Sequence, residues 1–222
     1  MVAITVRYFG GDDKLIARHH GFADSTMPLT RDLNQYEAIT ESGMISMPCV
    51  DFQHLPSDPD KIAEVRNACA QAGYFVLENA FESDSSIHRT IEQMDRFFSL
   101  PDNDAVKQAV AIHHIDGKHG WTPMFGEPAY QPGTIAHMES FGCGPDGASA
   151  WPNLIDFESD IRGCWETLSN IGDTVLESLA LASGIEQGFF RDQCATRELS
   201  TMRLLHYPQN SAPNLEQNVG IA

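Results

Sequence analysis

Two short strings in this chain place an acid two residues after a histidine, His114-Ile115-Asp116 and His137-Met138-Glu139. Residues i and i+2 of a strand point the same way, so either string has the form of a two-point metal ligand. A two-histidine, one-carboxylate metal centre needs a third ligand and open coordination positions on a rigid scaffold. His114 lies in a Gly- and Lys-containing loop (HHIDGKHGW), and nine histidines in 222 residues make such strings common by chance. No catalytic residue and no metal ligand is therefore assigned inside the chain. Near its end the segment Ser200 to Tyr207 alternates, with Met202, Leu204 and His206 on one face and Arg203, Leu205 and Tyr207 on the other. The first face is apolar enough to pack against helices, which leaves Arg203 on the open side.

The elements that must position these residues are legible as punctuation and period. Residues 1–44 read as an extension: Val2, Ile4, Val6 and Tyr8 alternate as one short strand, Gly10-Gly11-Asp12-Asp13 ends it, and the rest is polar without a sustained period. Order begins at ISMPCVDF (Ile45–Phe52), a strand. Ser57-Asp58-Pro59-Asp60 is a helix start, followed by an apolar stripe at Ile62, Val65, Cys69 and Ala72. After Gly73, YFVLEN predicts a buried strand. A second helix follows Ser83, with Ile87, Ile91, Met94 and Phe98 on one side, and Asp102–Val110 holds a shorter one. His113–Gly147 is rich in loops around a strand at Ala136–Phe141. Phe157, Ile161, Cys164, Leu168, Ile171, Val175, Leu179 and Ala182 then keep a three-four rhythm up to Ser183-Gly184. As one helix, Asn153–Ser183 would run roughly 45 Å, with Gly163 and Gly172 as places to bend. A short helix around Gln187–Cys194 leads into the Arg203 strand. Pro208 ends that strand because it has no N–H to donate.

Bulk properties narrow the function classes. Hydrophobic content of 42% with 20% charged residues is that of a globular protein. Fourteen basic against 31 acidic residues give a formal charge of −17, and a sequence pI near 4.7. Such a field repels phosphate backbones and anionic lipid surfaces, so neither a nucleic acid nor a membrane is expected as a partner. The five cysteines (Cys49, Cys69, Cys143, Cys164, Cys194) are odd in number, form no C-x-x-C pair and predict neither zinc nor a disulfide framework. The N-terminus has no signal-peptide pattern and no apolar run is long enough to span a bilayer, so the sequence points to the cytoplasm.

Taken in order, the motifs resemble the isopenicillin-N-synthase-like branch of the Fe(II)/2-oxoglutarate oxygenases. ISMPCVDF is similar to the family's opening I-P-x-(I/V)-D-(L/F) strand. AQAGYFVLENA is similar to its G-F-F-x-(V/L)-x-N-H-G segment, with Ala80 where the His-Gly would start. FFSLP, GWTPMFGEP and HMESF resemble F-F-x-L-P, G-Y-x-x-x-x-x-E and K-E-S-F. MRLLHYP, and then Val219-Gly220-Ile221-Ala222, resemble the (R/K)-x-x-x-Y-P strand and the start of the G-(I/V)-x-A-H-x-D strand.

The resemblance implies an α+β chain, mostly a β core with N-terminal helices. It would be the first part of a double-stranded β-helix (jelly roll) with one long packed helix, and residues 45–222 would form the oxygenase N-terminal region. It also implies Fe(II) and 2-oxoglutarate as cofactors, with the iron ligands beyond Ala222. O2 and a small organic molecule would be partners, and an open half-barrel could self-associate. Arg203 and Tyr207 would line the barrel and grip a carboxylate of cosubstrate or substrate; the alternative is a surface Arg and a packed Tyr. Glu127 would hold a cationic group and Trp121 would wall the pocket; the alternatives are an exposed Glu and a half-buried aromatic. Glu139 is either buried in the barrel wall or facing solvent. The implied reaction is hydroxylation, desaturation, cyclisation or ethylene formation, by an enzyme of which this chain, itself inactive, is the N-terminal portion. Two other readings stand beside it: a non-catalytic interaction or regulatory module, and an Fe(II) oxidase of the same fold that uses no 2-oxoglutarate.

Overall fold

The computed structural model describes residues 6–8, 37–40, 43–81, 85–115, 119–127, 135–208 and 218–219. In chain order these form β1 (Val6–Tyr8), β2 (Glu37–Thr40), β3 (Gly43–Ser46), β4 (Cys49–Asp51), α1 (Pro59–Gln71), β5 (Val76–Glu78), α2 (Ser85–Phe98) and α3 (Ala105–Gln108). Then come β6 (Trp121–Thr122), β7 (Ile135–Ala136), β8 (Glu139–Cys143), α4 (Phe157–Ala182), α5 (Phe189–Gln193), β9 (Met202–His206) and β10 (Asn218–Val219). The chain divides into two compact units, and α4 contributes residues to both.

One unit comprises Arg18–Ser83 and Ser169–Thr196. In it β2 and β3 form an antiparallel hairpin, and β4 pairs in parallel with β5 across the α1 crossover. The hairpin falls at the end of the expected extension and runs past residue 44. Asp58 caps α1 by accepting the Asp60 backbone N–H at 2.8 Å, and Pro59 occupies the first turn, where its missing N–H costs nothing. The buried stripe of α1 is Ile62, Val65 and Ala68; Cys69 faces solvent. Ile62 and Val65 pack with Val50, Leu55 and Ala182. The β5 strand is half-buried at all three positions, not fully buried. At the end of α4, Gly184 takes φ +72°, a conformation free of Cβ strain only for glycine, and the Ile185 N–H closes on the Ala180 carbonyl at 2.9 Å.

The other unit comprises Met1–Ala17, Asp84–Leu168 and Arg197–Ala222, and it carries the four-stranded sheet β1-β9-β8-β6. β1 runs parallel to β9, while β9–β8 and β8–β6 are antiparallel. The pairing sets Phe141 beside both Leu204 and Trp121, and Cys143 beside Met202. Alternation puts these side chains on one face. There they join Met94, Phe97 and Phe98 of α2 and Phe157, Ile161, Cys164 and Leu168 of α4 in the main core. Phe141 meets Phe97 and Phe157 edge-on, with centroids 5.6 and 5.3 Å apart. The predicted packing face of the Arg203 strand is thus the helix face. The opposite face carries Ser140, Gly142, Arg203 and Leu205. The single strand expected at Ala136–Phe141 is two strands, because β7 pairs with β10 while β8 pairs with β9. The chain changes sheets at His137-Met138.

The two faces of β9 make different demands. Leu204→Ala is expected to destabilise by about 2–5 kcal/mol, through lost burial and the cavity left behind. Arg203→Ala, whose guanidinium is on the open face, should cost less than about 1 kcal/mol. Urea unfolding followed by circular dichroism distinguishes the two.

Candidate functional site

On the open face, three polar side chains from separate elements converge. The β8–β9 register sets Ser140 beside Leu205 and Gly142 beside Arg203, so Arg203 reaches diagonally to Ser140, with Nη2 donating to Oγ at 3.2 Å. Arg203 also forms an ion pair with Glu127, and the Ser140 hydroxyl donates to Glu127 Oε1 at 2.6 Å. Glu127 arrives from a tight turn after β6, closed by the Gly126 N–H on the Pro123 carbonyl at 2.9 Å. Phe125, the third residue of that turn, holds φ +61°. That position favours glycine or asparagine, and keeping an aromatic residue there costs about 1–3 kcal/mol. The Phe125 ring is held by stacking on His137, with centroids 5.2 Å apart and planes 8° from parallel. The Arg203 side chain is 42% exposed and that of Glu127 20%, so the pair is open to a ligand.

Of the four residues singled out in the sequence, the structure brings Glu127 and Arg203 together. Tyr207 is buried with Ala136, Met138 and Leu205 in a separate small cluster. Trp121 lies on the other face, fully buried in the main core. Its indole N–H donates to Glu139 Oε2 at 2.7 Å. Ser140 was not singled out. Its sequence signal is its place after Glu139 in HMESF, the string that resembles K-E-S-F.

Behind the sheet lies a second, buried polar group. Glu139 is 2% exposed and Lys107 1%. Lys107 Nζ donates to Glu139 Oε2 at 2.9 Å and to the Phe98 carbonyl at 3.4 Å. It lies 3.6 Å from Asp102 and over the ring of Trp121, 5.1 Å from the centroid. His206 Nδ1 sits 2.8 Å from Glu139 Oε1, and its ring stacks on Phe98. Burial pushes the Glu139 carboxyl up, but the hydrogen bonds from His206, Lys107 and Trp121 outweigh it, and the net shift is below the usual carboxylate value. Burial also pushes the Cys143 thiol up to about 12, so at neutral pH it is neither a nucleophile nor a ready metal ligand.

Both oxygens of Glu139 are committed in the core, so it does not chelate with His137. His114 is exposed and edge-on to His113, and Asp116 lies outside the described residues. Among the described residues no group of three or more His, Cys, Asp or Glu side chains could hold a metal ion. The described residues therefore do not make an iron site. Nor is any helix among them long and apolar enough to cross a membrane.

Lys107→Met is expected to cost about 3–5 kcal/mol, because Glu139 stays buried without its cation; Lys107→Met with Glu139→Leu should recover much of this. Urea unfolding at neutral pH measures both. A carboxyl whose folded value lies below its unfolded value stabilises above the unfolded value. That contribution is lost as pH falls through the folded one. On acid titration the wild type should therefore lose a component of stability that Glu139→Gln lacks.

A family model described as the N-terminal region of the non-haem dioxygenase in morphine synthesis matches residues 47–157, half of the chain. Gibberellin 20 oxidase 1 of Arabidopsis thaliana is 24% identical over 194 residues, covering 79% of this chain and 50% of that protein. A 2-oxoglutarate-Fe(II) type oxidoreductase of Aspergillus fumigatus is 25% identical over 179 residues, 72% of this chain and 52% of that protein. The chain thus spans about half the length of these relatives. In fold, it is similar to a full-length Neurospora crassa protein solved in complex with alpha-KG, at a TM-score of 0.62 and 20% identity. The match covers 78% of this chain and 57% of that one. The sheet with its packed helices is the jelly-roll-type arrangement of the 2-oxoglutarate oxygenases. With half of its length matched by the family model and its motifs in the family's order, this chain belongs to the non-haem dioxygenase N-terminal family, within the Fe(II)/2-oxoglutarate oxygenase superfamily.

Proposed function

We propose that these residues form part of an Fe(II)- and 2-oxoglutarate-dependent oxygenase that uses O2 to oxidise a small organic molecule. The observation that carries this reading is the family-model match over residues 47–157. Relatives named as 2-oxoglutarate-Fe(II) oxidoreductases and a structural neighbour solved with alpha-KG support the cofactor assignment. Bound iron and 2-oxoglutarate would supply the oxidising chemistry. The roles assigned to this chain are to shape and charge the cavity side of the sheet. There Arg203 and Glu127 face the ligand, with Ser140 fixing their geometry. Tyr207 contributes from the same strand face, and Trp121 acts from behind by holding Glu139.

The test is to express the longest in-frame product of the gene containing these residues and to measure succinate formed from 2-oxoglutarate. Succinate formation that needs both Fe(II) and O2 is the expected result. Oxygen uptake that needs no 2-oxoglutarate overturns the cosubstrate assignment, and a folded product that consumes neither overturns the reading. In the active protein Arg203→Ala should weaken ligand binding by about 2–3 kcal/mol, the scale of a charge-assisted bond, and Tyr207→Phe by about 1–2 kcal/mol. The 222-residue chain alone is expected not to bind Fe(II) stoichiometrically at micromolar concentration. Calorimetric binding that is lost in His114→Ala or His137→Ala would contradict this.

A further inference from the structure

Glu127 reaches Arg203 and Ser140 from the last residue of a turn, so whatever holds that turn aims the carboxylate. Part of the hold is backbone. The Gly126 N–H closes on the Pro123 carbonyl, and a Cβ at Gly126 would come within 2.9 Å of that same oxygen and of Thr122 Cγ2, so the turn has room only for glycine there. Phe125 is harder to account for. Its φ of +61° suits glycine or asparagine, and the residue is 43% exposed, so neither backbone preference nor burial in the core explains a phenylalanine here. What its ring does have is His137, stacked on it with centroids 5.2 Å apart and planes 8° from parallel.

We propose that Phe125 and His137 are positioning residues for the Glu127–Arg203–Ser140 group. His137 is 8% exposed and stands three residues before Ser140, where the chain passes from β7 to β8. The ring-on-ring contact therefore ties the turn to the strand that carries Ser140. Gly126 alone separates this tie from Glu127, so the Glu127 backbone is fixed close to its partners before its side chain is placed. An ion pair between two partly exposed side chains contributes little when both must first be ordered, because the ordering costs entropy. A fixed backbone at Glu127 removes part of that cost.

Release of the ring has a definite consequence. The contact that offsets the positive φ of Phe125 is then gone, and the backbone relaxes toward the negative φ that a residue with a side chain prefers. That movement turns Glu127 away from Arg203. Both hydrogens of Arg203 Nη2 are taken up by Glu127 and Ser140, so the place of Glu127 decides how much of the guanidinium is offered to anything else. Phe125 and His137 thus act through Glu127. The assignment rests on the oxygenase reading only in taking Arg203 and Glu127 as the groups that face a ligand.

With its Nη2 held at two points, the Arg203 guanidinium turns slowly about its Cζ–Nε bond. NMR of the intact chain reads that rate without iron, 2-oxoglutarate or turnover. Loss of the signal in Arg203→Lys assigns it, and Glu127→Ala gives the rate of the released group. Phe125→Gly suits the turn's backbone and removes only the ring. It should speed the rotation about three- to fivefold, close to the Glu127→Ala rate. His137→Leu removes the platform and should do the same. Phe125→Tyr keeps the stack and should stay within about twofold of the wild type. Circular dichroism of each variant checks that the fold persists, and Phe125→Gly, in an exposed turn, is the variant that disturbs it least. Rotation in Phe125→Gly as slow as in the wild type overturns the proposal, since the backbone alone would then place Glu127. Phe125→Tyr rotating as fast as Phe125→Gly overturns it equally. A full-length product that forms no succinate sinks the oxygenase reading and leaves these rates, and the assignment they test, unchanged.

Discussion

Glu139 is a carboxylate in a place where water cannot reach it, and each of its bonds goes to a different element. Trp121 reaches it from β6, His206 from β9 and Lys107 from α3, while Lys107 also touches the last carbonyl of α2. A buried ion pair of this kind stabilises little more than an apolar group of the same shape would. What it does supply is a single answer to the question of register. If β9 slipped by one residue against β8, Leu205 would turn to the carboxylate and His206 to the open face. The slip would leave a buried charge short of a partner, which is far more costly than a misplaced methyl group.

Register on the helix face decides what is displayed on the other. Ser140 follows Glu139 directly, and Arg203 lies three residues before His206, so the network that holds the odd members of β8 also aims the even ones. The two polar groups of this sheet are therefore not equivalent. One is dry, saturated with bonds and structural. The other is partly wet, leaves donors and an acceptor unspent, and sits beside a backbone conformation that its own residue type disfavours. Closure and saturation mark a scaffold, whereas openness and strain mark a surface kept for something else.

Local signals were the legible ones. Asp58-Pro59 marked the start of α1 and Gly184 the end of α4, because caps act within a few residues of their position. The three-four rhythm from Phe157 to Ala182 marked the long helix for the same reason. Alternation from Met202 to Tyr207 separated the faces of β9, and it did so without knowing its neighbours. What escaped depends on partners far along the chain. Glu127 and Arg203 were each singled out, yet nothing in either segment says that they meet. Lys107 sits in the four-residue helix AVKQ and reads as a surface residue; only Glu139, 32 positions on, makes its burial tolerable. The break at His137-Met138 is invisible in the sequence IAHMESF, because it arises where β7 and β8 take different partners. Ser140 stands in the HMESF string, but a lone serine in a strand is as often a filler as a ligand.

The parallel pairing of β1 with β9 joins Val6 to Leu204 and Tyr8 to His206, almost the full length of the chain apart. During synthesis β1 leaves the ribosome long before its partner. Loop-closure entropy and the parallel topology both make such a contact slow to form. Until β9 emerges, β8 lacks its central neighbour, and the main core lacks Met202 and Leu204 from the strand between β1 and β8. When the contact does form, β1 takes the edge position among the described strands and covers hydrogen-bonding groups of β9 that would otherwise invite another chain. A segment that looks dispensable in the sequence thus settles only once β9 has arrived, and then guards one side of that strand.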